Sequence, residues 1–150
     1  MVKKSFFLLI FLFSCSVTEP VTNEISDPLS SEEVLNLIFE GYKNYSDNPE
    51  KTINTIWNFA HEENKSVTGP KERFGAMLTS DPYNSILDLR DYSYEVVFEN
   101  EANIHYQVKV LAKDNNYFVI TWVFQKSICD ENPCWRTIGV SQPEYFESGI

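Results

Sequence analysis

Over residues 92–110 the apolar residues of this chain recur at about every second position, whereas before residue 92 they recur every three or four. Tyr92, Tyr94, Val96 and Phe98 alternate with Ser93, Glu95, Val97 and Glu99. Ile104, Tyr106, Val108 and Val110 alternate with Asn103, His105, Gln107 and Lys109. Successive strand side chains point to opposite faces, so a period of two describes half-buried strands. Glu99-Asn100-Glu101 reads as one turn and Lys113-Asp114-Asn115-Asn116 as a hairpin signal. Residues 117–124 are apolar on both faces, which suits a central strand. Residues 134–140 make a last strand ending near Gln142-Pro143, and a short strand is expected around 85–89.

The first half has helical spacing. Ser30 or Ser31 can cap a helix whose first turn holds Glu32 and Glu33, where acid favours the helix dipole. Val34, Leu35, Ile38, Tyr42 and Tyr45 give it one buried stripe. Asp47-Asn48-Pro49 breaks it, and a second helix over 49–59 buries Ile53, Ile56, Trp57 and Ala60. Residues 61–69 are polar and read as a turn. Thr68 or Gly69 can cap a third, short helix that opens with Pro70 and presents Phe74, Met77 and Leu78. Helices followed by antiparallel strands predict an α+β fold, with the helices packed on a curved antiparallel sheet. The faces Tyr94/Val96/Phe98, Ile104/Tyr106/Val108 and Phe118/Ile120/Trp122 are expected to meet the helices.

The N-terminus speaks to location. Lys3 and Lys4 precede a short apolar run over 5–13, and Ser14-Cys15 follows. A basic start, an apolar stretch and a small residue before a cut describe an export signal. The run is shorter than the roughly 20 apolar residues a spanning helix needs. With Cys15 just after the cut, the segment resembles a bacterial lipoprotein signal, which implies lipidation at Cys15. Plain secretion with cleavage near Ser14-Cys15 is the alternative. Residues 1–14 are then a signal peptide, 15–29 a lipidated cysteine and flexible tether rich in Ser, Thr, Asn and Pro, 30–143 the folded domain, and 144–150 a C-terminal tail. The expected location is the bacterial cell envelope. Ser16 is not the aspartate that would suggest inner-membrane retention, so the outer membrane is expected where the organism has one.

Loss of residues 1–14 removes two lysines and no acid, taking the net charge from −10 to −12. Such a chain is poorly suited to nucleic acid or to anionic headgroups, so no nucleic-acid partner is expected. Membrane attachment would come through lipid. Aromatic residues are 15% of the chain, which favours a packed, β-rich domain over disorder. Of three cysteines, Cys129 and Cys134 remain beside Cys15, bracketing a turn-like tetrapeptide. A disulfide is plausible in an exported chain, with two free thiols as the alternative. Two cysteines and two histidines give no zinc pattern, so neither metal nor cofactor is expected.

Phe59-Ala60, Asn64-Lys65, Thr68-Gly69-Pro70, Arg73-Phe74, Met77 and Tyr83, with Cys134-Trp135 and Val140 later, form a more specific pattern. It resembles an uncharacterised family with the nuclear transport factor 2-like cone fold, over roughly residues 31–141. The resemblance implies a fold and supplies no reaction.

Individual residues carry a functional and a plain reading. Thr68-Gly69-Pro70 can hold an anion at a helix N-terminus or serve only as cap, turn and helix start. Arg73 can meet a ligand carboxylate or a structural acid. His61 follows a helix end and can act as a base or simply favour the dipole. His105 sits on a polar strand face. Asp88 and Asp91 around Arg90 can be a paired-carboxylate site or a solvated strand edge. Trp57, His61, Tyr94, Tyr106 and Trp122, with Trp135 beside them, can line a pocket or fill a core. These readings lead to a lipid-anchored, non-catalytic envelope domain that binds a small apolar ligand or an envelope protein. The alternatives are a cone-fold enzyme doing proton-transfer or hydrolytic chemistry on an apolar substrate, with His61 or Asp88 in a dry cavity, and a dimeric structural module.

Overall fold

The computed structural model describes residues 28–149. The signal segment, Cys15 and the tether up to residue 27 lie outside them. The described residues form α1 (Ser31–Lys43), α2 (Pro49–Phe59), α3 (Glu62–Thr68), α4 (Lys71–Leu78), then β1 (Asp91–Glu99), β2 (Asn103–Leu111), β3 (Asn116–Cys129), β4 (Asn132–Val140) and β5 (Glu144–Ser148). Helices first and an antiparallel sheet second make this a mixed α+β fold.

The helix starts are locally encoded. Ser30 caps α1 and Glu33 reaches back to the Ser30 N–H, a reciprocal capping box. Asn48 accepts from the Lys51 N–H, and Pro49 opens α2 where no N–H is needed. The α1 stripe buries Val34, Leu35, Ile38 and Tyr42 as its spacing requires, and Phe39 is sealed beside them. Phe39 then meets Trp122 edge-on at 5.4 Å. Such aromatic pairs contribute about 0.5–1.5 kcal/mol beyond their buried area.

Sheet order is β1-β2-β3-β4, with β5 on the same edge of β3 as β4. Ile104, Tyr106, Val108 and Val110 on β2 and Ile120, Trp122 and Phe124 on β3 are buried against the helices. The polar alternates of β2 face outward, where Lys109 lies over the Tyr117 and Phe146 rings and pairs with Glu147. β4 and β5 share one lane of the sheet. Ser141 bridges them, its N–H donating to the Thr121 carbonyl and its Oγ accepting from the Thr121 N–H.

The structure corrects the sequence reading at five places. Residues 62–68 are helix rather than turn. Pro70 is the N-cap of α4 rather than its first residue, while Gly69 closes α3 at φ 84°. Tyr83–Ile86 is a turn of 3-10 helix, so the strand expected at 85–89 is replaced. A bulge between Val96 and Phe98 pairs Phe98 with His105 and puts its ring on the outer face, 4.8 Å from the imidazole. Phe98 is 47% exposed and does not join the core face with Tyr94. Finally, 144–148 is a fifth strand on β3 rather than a tail.

Candidate functional site

A cavity of about 460 Å³ opens between the helices and the β3–β4 half of the sheet. Tyr42 comes to it from the end of α1, Ile56 and Ala60 from the end of α2, and Phe74, Met77 and Leu78 from α4. Tyr83 contributes from the 3-10 turn, Trp122 from β3 and residues 137–140 from β4. Glu63, Asn64, Val67 and Thr68 bring α3 to the wall. The size lies within the roughly 300–1,000 Å³ of small-molecule sites, and an apolar lining with few polar groups is their usual character.

Local geometry keeps this space open. Across the β3–β4 ladder Phe124 pairs with Thr137 and Val123 with Gly139, so Ile138 is an extra residue and β4 bends. The helical segment is fastened to the edge of the bulged strand. Ala60 and Thr137 form a parallel bridge, and the His61 N–H donates to the Thr137 carbonyl at 2.8 Å. Asn64 Nδ2 donates to the same carbonyl at 3.4 Å. α3 is thereby held over the β4 side of the cavity.

The polar groups of the lining are mostly occupied. Trp122 Nε1 donates to Thr137 Oγ1 at 3.0 Å inside the core. Thr68 Oγ1 donates to the Asn64 carbonyl at 3.0 Å. Tyr42 differs. It is 2% exposed, wedged against Phe39 at 5.7 Å and Trp122 at 6.4 Å, and its hydroxyl has no hydrogen-bond partner among the described residues. Burial, with the Tyr83 phenol nearby, pushes the Tyr42 phenol up from its ordinary value, so it stays protonated at neutral pH.

Of the five residues proposed from sequence as pocket lining, the structure brings Trp122 to the cavity and places the other four elsewhere. Trp57 is not among the lining residues and packs on Phe74 at 5.4 Å with Lys65 Nζ over its ring. Tyr94 donates to Glu32 and accepts from Asn36, joining β1 to α1. Tyr106 shares a buried hydrogen bond with Ser31 at 2.9 Å. Trp135 lines a separate groove with Leu29 and Phe59.

His61 is the N-cap of α3, its Nδ1 accepting from the Glu63 N–H, and it borders a shallow outer depression with Arg136. Asp88 is a clamp, accepting from the Ser46 N–H and Oγ at 2.7 Å each. Neither faces the cavity, and Asp91 stands exposed at the start of β1. Arg73 is exposed and forms no ion pair among the described residues. Its stem lies against Gly69, close enough that a Cβ there would stand 3.0 Å from Cδ. Thr68-Gly69-Pro70 is thus a helix end, a turn and a helix start in succession.

Cys129 and Cys134 are joined in a disulfide. They flank the two-residue hairpin turn Asp130-Glu131, where both residues have positive φ as a primed turn requires. Arg136 Nε donates to Cys129 Sγ at 3.0 Å, and Arg136 Nη1 donates to the Asn58 carbonyl, tying this hairpin to α2. Among the described residues no cluster of His, Cys, Asp or Glu could hold a metal, and no helix is long and apolar enough to cross a membrane.

Sequence reasoning missed Tyr42, Tyr83, Asn64 and Thr137 as lining. The available signal was a tyrosine ending an otherwise aliphatic stripe on α1, which brings a hydroxyl to a core position. No protein-family model, no curated protein and no solved structure matches the chain.

Proposed function

We propose that this protein is a lipid-anchored domain of the bacterial cell envelope that binds a small, mostly apolar molecule between its helices and its sheet, without transforming it. The observation that carries the reading is the cavity of about 460 Å³, walled by Ile56, Phe74, Met77, Leu78, Trp122 and Val140. Burial of an apolar ligand there is favoured by about 25 cal/mol for each Å² removed from water. Proton-transfer chemistry needs a base within hydrogen-bond reach of the substrate. His61 and Asp88 are both spent on the fold's own backbone amides. Glu63, the carboxylate of the described lining, is exposed on α3. Binding is therefore the reading the geometry supports best.

Anchoring rests on the sequence signal at Cys15, and the cone fold on the Thr68-Gly69-Pro70 and Arg73-Phe74 pattern. Helices ahead of a bulged antiparallel sheet are compatible with that fold.

Filling the space tests the binding reading. Met77→Trp adds bulk where the side chain is only partly buried and lines the cavity. It is expected to weaken an apolar fluorescent probe at least tenfold while leaving the melting temperature within a few degrees. Unchanged probe affinity in a folded variant would refute the cavity as the binding site.

A further inference from the structure

The Tyr42 hydroxyl poses a specific chemical question. Buried polar groups in native proteins are almost always hydrogen-bonded, and an unmet one costs about 1–3 kcal/mol. Among the described residues no fully sealed side-chain nitrogen or oxygen lacks a partner. The Tyr42 oxygen, which has none, is therefore not sealed in protein. The Tyr42 side chain, 2% exposed, lines the cavity. The ring cannot easily turn the hydroxyl elsewhere, because Phe39 and Trp122 pack against it. Trp122 has already given its N–H to Thr137 and offers only its apolar ring.

Charge narrows the occupant further. The described lining contains no Lys, Arg or His, and its one ionisable carboxyl is Glu63. A carboxylate or phosphate entering this space would lose its hydration with no opposite charge to meet it, and burying an unpaired charge is strongly unfavourable. A fully apolar occupant would leave the Tyr42 hydroxyl unmet. A neutral molecule with one oxygen acceptor satisfies both conditions.

Resting on the binding reading above, we propose that the cavity takes a neutral, mainly apolar molecule bearing a ketone or ester carbonyl, and that the Tyr42 hydroxyl donates to that carbonyl oxygen. Tyr42 is then the specificity-determining contact, with the Tyr83 phenol beside it as the second hydroxyl of the wall.

Three probes of similar length separate the terms: 2-decanone, decanoate and decane. Each competes against an apolar fluorophore on the full chain held in lipid nanodiscs, for the wild type and for Tyr42→Phe. Comparison within the same discs cancels partition into lipid. The ketone is expected to bind the wild type more tightly than decane or decanoate, and Tyr42→Phe to weaken the ketone two- to tenfold, the range for one hydrogen bond. Decane should be unaffected by the substitution, which also reports that the cavity has kept its shape. Equal ketone affinity in wild type and variant, or preference for decanoate, would overturn the assignment while leaving the binding reading intact. Failure of the fluorophore itself to bind would overturn the binding reading and this inference with it.

Discussion

Asp88 turns the chain and locks the turn with its own side chain. Its φ is 57°, a left-handed conformation that Asp and Asn tolerate better than most residues. Its N–H donates to the Tyr42 carbonyl at 2.9 Å, while its carboxylate takes two hydrogen bonds from Ser46 and faces Lys113 at 3.6 Å. Partial burial raises the carboxyl's pKa, but the Ser46 bonds and Lys113 outweigh that and hold it below its ordinary value. A carboxyl depressed in the folded state contributes stability above its unfolded value, about 3.9, and loses it as pH falls through the folded value. Asp88→Asn, which keeps the left-handed backbone, is expected to melt lower at pH 7 and to show a smaller loss between pH 4 and pH 2 than the wild type. Parallel melting curves across that window would contradict the clamp. The sequence Leu-Asp-Leu-Arg-Asp displays acids around a base and nothing of Ser46, 42 residues away. That long-range partner is why a paired-carboxylate reading was open and the clamp was not legible.

α3 illustrates what periodicity reads and what it leaves hidden. Hydrophobic patterning detects an element through its buried face, and no residue of α3 is buried. Val67, its one apolar residue with a large side chain, is 80% exposed. The helix is held instead by the His61 cap, a Lys65–Glu62 pair and the Thr137 carbonyl on β4. α2 and the start of α1 were legible because each helix buries a stripe and carries its own capping signal, but α1 ends at Lys43 and Tyr45, counted in its stripe, falls in a 3-10 turn over Tyr45–Asp47. The outward turn of Phe98 was hidden because a bulge leaves no mark on alternation. β5 was hidden because all five of its residues are exposed. Gly69 joins α3 to α4 at φ 84° and ψ −165°, a region essentially reserved for glycine. Gly69→Ala is expected to cost about 1–3 kcal/mol in chemical denaturation, through backbone strain and the nearby Arg73 stem. A cost below about 0.5 kcal/mol would mean the α3–α4 joint is not fixed in this geometry.

At the scale of the molecule, the helices cover one face of the sheet and the cavity lies between them and the bulged β3–β4 half of the sheet. The α+β architecture was readable from the change of hydrophobic period, since each element's period reports its own buried face. The cavity was not, because a lining residue and a core residue obey the same pattern. Trp122 serves as both, and Tyr42 is set apart from its stripe neighbours by a single hydroxyl without a partner. The most direct measurement is native mass spectrometry of the full chain purified from the envelope of its own host. The account predicts a mass above that of the unfolded chain by one small neutral molecule, released on unfolding and reduced in Met77→Trp. A bare mass under conditions that preserve the fold, or an adduct retained equally by the cavity-filled variant, would contradict it.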